Sequence, residues 1–149
     1  MADVHPAEIS PIAVTEFDRA PAADAAAELM PCCASRQWIS QLVGGRPYGR
    51  LDRLCARSDV VLGTLLGAEL AGALAGAAQQ TPAGPLSSDL RAYERRFGYV
   101  FLPALAGLPS DELATTLRSR LHNDPVAERE IARVELSRIV RRRLIAAFR

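Results

Sequence analysis

The alternation of apolar and polar positions is helical along most of the chain. In the C-terminal third, Ile131 with Val134, then Leu136, Val140, Leu144 and Phe148, recur at three- and four-residue spacing, which predicts one long helix with a shared apolar face. Asp124 stands ready as its N-cap, and Pro125 suits its first position because that amide has no intrahelical partner. Just upstream, Ser110 as N-cap with Asp111 and Glu112 opens another helix. Arg118, Arg120 and His122 close it, matching the helix dipole at both ends, and Asn123 terminates it. Further back, the pattern predicts a short helix around Ile9 to Phe17, interrupted by Pro6 and Pro11, then one from Ala22 to Met30 that carries on across Pro31 into Cys32 to Val43. Leu51 to Ala56 predicts a turn or two of helix, Ser58-Asp59 the start of a longer one through Ala78, and Asp89 to Arg96 another that Gly98 ends. The breaks are Gly44-Gly45-Arg46-Pro47-Tyr48, the stretch QQTPAGPLSS from Gln79 to Ser88, and the apolar run Tyr99 to Leu102 stopped by Pro103. The expected architecture is all-α: a single-domain helical bundle over 21–149, with 1–20 as a loosely ordered lead-in carrying a short helix.

Composition strengthens this reading. A chain of 149 residues suits one domain with a real core. Its 26 alanines and 19 leucines, against 5% aromatic residues, favour helix over sheet. The formal charge is +1, yet all 18 basic residues are arginine. Without lysine there is no Schiff-base chemistry, no pyridoxal-phosphate anchor and no P-loop lysine. Cys32, Cys33 and Cys55 are an odd set, and adjacent cysteines bridge poorly, so reduced thiols and a cytoplasmic location are expected. Met1 to Ala20 carries four acidic residues and no apolar block, unlike a secretory leader. Val60 to Ala78 is weakly polar, but Glu69 and four glycines argue for helix packing rather than a membrane span. From Arg129 to Arg149, seven arginines and two glutamates leave 7 − 2 = +5. The compact Arg141-Arg142-Arg143 cluster has no interleaved aromatics, so a solvated helix end with one arginine turned inward is expected, and no nucleic acid partner.

Generic catalytic motifs are sparse. His5 and His122 are the only histidines, and no Cys-x-x-Cys, His-x-x-x-His or carboxylate–histidine cluster occurs, so neither a metal site nor a cofactor is expected. Glycines 63, 67, 72 and 76 fit neither the Rossmann nor the P-loop spacing. Cys33 and His122 are a conceivable nucleophilic pair, although buried small hydrophobe is the usual role of such cysteines. Trp38 is expected in the core.

Four strings in order carry a more specific signal. They are Met30-Pro31-Cys32-Cys33-Ala34-Ser35-Arg36-Gln37-Trp38 with Gly45-Arg46-Pro47-Tyr48; AYERRFGYVF from Ala92 to Phe101; LRSRLHNDP from Leu117 to Pro125; and Arg138-Ile139-Val140-Arg141-Arg142-Arg143-Leu144. Together they resemble the signatures of the OHCU (2-oxo-4-hydroxy-4-carboxy-5-ureidoimidazoline) decarboxylases, whose corresponding motifs read AYEERFGFxF, LRxRLxNDP and KIxxLRL. The resemblance spans about residues 28–147. It implies an all-helical domain, often a homodimer, that forms S-allantoin from OHCU without a cofactor. The family uses a histidine in an HPRIG-like motif and a glutamate in a downstream EQ-containing segment. A C-terminal arginine and the backbone after the FGFxF run help to hold the substrate.

Carried over position by position, the resemblance makes Arg143 the substrate-binding arginine and Leu102, Pro103, Ala104, Leu105 and Ala106 the lining backbone, although Pro103 removes one amide donor. The histidine slot falls on Ala77 in a gapless register, or on Gly67 if GAELAG is matched to an HPELAG-like string; neither supplies a histidine. The glutamate-bearing segment is much shortened, leaving Gln79, Gln80 and Asp89 as polar groups nearby. Three functions remain open. They are a scaffold recruited as an enzyme on a different small molecule, a non-catalytic ligand- or partner-binding protein, and a working OHCU decarboxylase whose missing groups come from elsewhere, such as His5 or His122.

Overall fold

The computed structural model describes residues 10–78, 87–102 and 110–149. Among them are eight helices: α1 (Val14–Arg19), α2 (Ala22–Leu29), α3 (Arg36–Gly44), α4 (Leu51–Leu62), α5 (Gly67–Ala78), α6 (Ser87–Phe97), α7 (Ser110–Leu121) and α8 (Pro125–Ala147). The only β-type pairing among the described residues is an isolated parallel bridge between Ile12 and Phe148. It lays the segment before α1 along the chain's last residues, with Ile12 N donating to Ala147 O and Arg149 N to Ile12 O, both at 3.0 Å. The all-α expectation holds. None of these helices is long and apolar enough to cross a membrane.

Several boundaries differ from the sequence reading. The first helix is Val14–Arg19, displaced toward the C-terminus from the expected Ile9 to Phe17. Ala22 to Val43 is two helices, because the chain after Leu29 turns through Pro31 and resumes only where the Ser35 side chain caps α3 by accepting from Trp38 N. The reading of Leu51 to Ala56 as short and Ser58 to Ala78 as long is corrected: α4 runs unbroken through Leu62. Thr64 ends it by turning both its amide and its hydroxyl onto Val61 O. Gly67, at φ +54°, then supplies a left-handed backbone at the start of α5 that a side chain would disfavour. The break expected at Gln79 to Ser88 lies mostly outside the described residues, as does the Ser110 side chain expected to cap α7.

The main core is built where α4 and α5 pack on α8, joined by α1 to α3. Trp38 sits wholly buried, as expected, and its indole Nε1 donates to Ser58 Oγ on α4 at 3.0 Å. A smaller aromatic cluster of Tyr93, Phe101 and Leu117 holds α6 and α7. On α8, Asp124 caps the first turn as expected, accepting from Val126 N and Ala127 N. Its inner face is Glu128, Ala132, Leu136, Val140 and Leu144, followed by Phe148. Ile131 and Val134, expected on that face, are instead exposed, Val134 by half. Leu136, Val140, Leu144 and Phe148 lie on that face as expected, but the four-residue row begins at a buried charge, so apolar periodicity missed its first turns.

Candidate functional site

Arg143 is one of the arginines of the C-terminal helix that turn inward, as Arg133 also does onto Leu65 O. From the last third of α8, its Nη2 donates to Ala77 O at the end of α5 (3.2 Å) and its Nη1 reaches Cys32 O in the turn after α2 (3.4 Å). The final carbonyls of a helix lack intrahelical donors and carry the negative end of its dipole, so a guanidinium is well placed there. No carboxylate among the described residues lies within ion-pair distance of Arg143. Among the described residues its charge therefore meets backbone dipoles rather than a counter-ion. Among the other arginines of the helix, Arg141 pairs with Asp59, Arg133 with Glu130 and Leu65 O, and Arg138 with Glu135, while the Arg129 Nε is buried without a hydrogen-bond partner among the described residues.

The turn beneath Arg143 carries the thiols. Cys32, Cys33 and Cys55 are all buried and free. Burial pushes the Cys32 thiol up to about 11, against the opposing pull of Arg143, and Cys33 is raised for the same reason. These are inert, protonated thiols, not nucleophiles. Nothing pairs Cys33 with His122; the charges that act on Cys33 are those of Arg143 and Glu69. Glu69, on α5, accepts from Ser35 Oγ at 2.7 Å. Of the two positions for the histidine slot, Ala77 lies against Arg143 and is buried, whereas Gly67 stands at the far end of α5. Leu102 is buried in the main core. Pro103, Ala104, Leu105 and Ala106, with Gln79 and Gln80, lie outside the described residues. Among the described residues, no cluster of histidine, cysteine or carboxylate side chains could hold a metal ion.

Two polar assemblies escaped the sequence reading. In the first, Glu128 on α8 is fully buried. Arg120 Nε on α7 donates to both its oxygens (3.1 and 2.9 Å), Asn123 Nδ2 to Oε1 (3.0 Å), and the Tyr93 hydroxyl on α6 to Oε2. The Arg120 guanidinium also lies 4.8 Å from the Phe101 ring centroid. Burial alone would lower the Arg120 pKa, but the Glu128 carboxylate more than reverses this; Tyr93 is raised by burial and by its bond to Glu128. Tyr93 and Phe101 belong to the AYERRFGYVF string and Arg120 and Asn123 to LRSRLHNDP, so these two signatures are halves of one lock. In the second, Arg46 donates to Val43 O, Phe17 O and Ala20 O, while Asp18 accepts from Tyr48 N and Gly49 N. That staple joins the GRPY string to α1. A carboxylate one turn from an N-cap, as Glu128 is from Asp124, was the available signal for the lock, but the helix dipole already explained Arg120, its partner.

Comparison with known proteins agrees with this geometry. No curated protein matches the sequence. The fold is similar to a crystal structure of (S)-allantoin synthase, with TM-score 0.68 and 16% identity over 92% of this chain and 54% of that one; this chain thus spans about half that protein's length. It is also similar to a crystal structure of OHCU decarboxylase in the presence of (S)-allantoin, with TM-score 0.64 and 20% identity over 78% of this chain and 94% of that one. The sequence model of the family described as OHCU decarboxylase matches residues 66–145, more than half of the chain. With that match over the segment that holds α5, the lock and Arg143, the chain belongs to the OHCU decarboxylase family.

Proposed function

We propose that this chain binds an anionic, ureide-like small molecule against Arg143 and has been recruited to a substrate other than OHCU. The observation that carries this reading is the Arg143 guanidinium, held by Ala77 O at the end of α5 and by Cys32 O in the turn after α2, with no carboxylate among the described residues in ion-pair distance. A planar fork of donors with uncompensated charge suits a carboxylate. Decarboxylation of OHCU also needs a group that delivers a proton to the carbon that loses carbon dioxide, and an alanine at position 77, whose carbonyl Arg143 meets, has none to give. Binding without turnover is the second reading, and the same alanine favours it.

The test has two arms. Ureidoacetate, which joins a ureido group to a carboxylate, is expected to bind the wild-type chain in calorimetry. Arg143→Met should weaken that binding about ten- to a hundredfold, the weight of a charge-assisted contact. Freshly generated OHCU, followed by ultraviolet absorbance and circular dichroism, should decay at its spontaneous rate, since losing one acid–base group costs about 10²–10⁴-fold. Rapid, stereoselective formation of S-allantoin would overturn the recruitment and make the chain a working decarboxylase.

A further inference from the structure

A concave surface lies on α5 away from Arg143. A cleft of about 340 Å³ lies there between α5 and the end of α6, lined by Ala71, Ala75, Glu94, Gly98, Tyr99 and Val100. The volume is within the range of small-molecule sites, at its lower end. Its α5 wall is made of Ala71 and Ala75, whose methyls leave room. The opposite wall is held in shape. Gly98, at φ +83°, turns the chain out of α6, with its amide donating to Glu94 O at 2.9 Å. The Tyr99 ring is stacked on Phe97 (6.1 Å, 24°) and meets Tyr93 edge-on (6.0 Å, 72°). Tyr93 in turn is tied to Glu128. The Tyr99 hydroxyl is buried, so what this residue offers the cleft is apolar ring surface.

The chemistry of the lining is one-sided. Among the described residues that line it, Glu94 is the only charged one; it is exposed, and no ion pair within the described residues occupies it. A carboxylate beside an aromatic ring and flat aliphatic walls selects a planar cation with N–H donors, since the ring face and the carboxylate both attract positive charge. We propose that this cleft binds a small planar amidinium-type cation, with its N–H groups on Glu94 and its flat face between Tyr99 and the alanines of α5. The site is separate from the anion site at Arg143, takes the opposite charge, and does not depend on it.

The experiment is an amide-resolved NMR titration of the whole chain with benzamidine, and with benzamide as its neutral isostere. Benzamidine should shift a cluster of amides at Ala71, Ala75 and Gly98 to Val100, whereas benzamide should bind about tenfold more weakly, as loss of a charge-assisted contact requires. Glu94→Gln should reproduce that tenfold loss in the benzamidine titration. Ala75→Leu should abolish the cluster by filling the cleft while the rest of the spectrum stays that of the folded chain. Arg143→Met should leave benzamidine binding unchanged, which separates this site from the anion site. Equal shifts from benzamide, unchanged binding in Glu94→Gln, or no clustered shift up to about 10 mM, ten times a millimolar Kd, would each overturn the proposal.

Discussion

Arg120 and Arg143 are both drawn toward the interior of the bundle, and they meet opposite environments there. Arg120 faces a buried carboxylate that also accepts from a tyrosine and an asparagine, so its charge is neutralised and its donors are used. Arg143 faces two carbonyls, a pair of protonated thiols and an alanine. The first arrangement is what a structural ion pair requires, because burying one partner alone is costly while a fully bonded pair can be tolerated. The second leaves attraction for an anion unspent. Four family-like strings therefore divide into two kinds: those around Arg120 and Arg46 build the frame, and the one that carries Arg143 brings a cation onto the carbonyls of Ala77 and Cys32. A polar residue inside a family motif is thus not evidence of catalysis until its partners are known.

The comparison breaks most readily at Glu128. Glu128→Ala strands Arg120 and the Tyr93 hydroxyl without their acceptor, so urea denaturation should show a loss of about 3–5 kcal/mol. A loss below about 1 kcal/mol, the scale of exposed ion pairs, would mean the lock contributes no more than a surface contact. Replacing Arg143 with methionine should do much less to the fold. It keeps most of the stem and removes two neutral-acceptor bonds, a cost of about 1 kcal/mol. If Arg143→Met were as damaging as Glu128→Ala, Arg143 would be a second structural lock and the contrast between the two arginines would vanish.

The smallest effect concerns the thiols under Arg143. Cys32 is held at about 11 against an ordinary 9.0, so the folded chain keeps a proton that the unfolded chain gives up. Stability from this group is fully present below about pH 9 and is lost as pH rises toward 11, because there the folded state binds more protons than the unfolded one. Thermal unfolding of Cys32→Ala should lack that component of the alkaline decline. An identical alkaline decline in both chains would show that the Cys32 thiol is not held protonated by its surroundings. The same burial predicts slow alkylation by iodoacetamide at neutral pH without denaturant, measured by mass spectrometry.

Much of the scaffold was legible before any coordinates. Helical periodicity, the Asp124–Pro125 cap and the stop at Gly98 follow from local backbone energetics, which act within a few residues and leave a trace in composition. Arg143 too could be singled out from its place in the RIVRRRL string. The end of α4 was harder, since a threonine that turns back on Val61 O looks from sequence like any polar residue in a helix. Sequence periodicity could not show that Ile131 and Val134 face outward, because a buried glutamate is invisible to a hydrophobic pattern until its arginine is found eight residues earlier on another helix. Nor could it choose between Ala77 and Gly67 as the position beside Arg143, a choice made by the packing of α5 on α8. Local sequence determined which segments are helices and roughly where they begin and end. Only the tertiary structure decided which charges are neutralised and which remain available, because the electrostatics of a side chain depend on partners that are distant in the chain and adjacent only after folding.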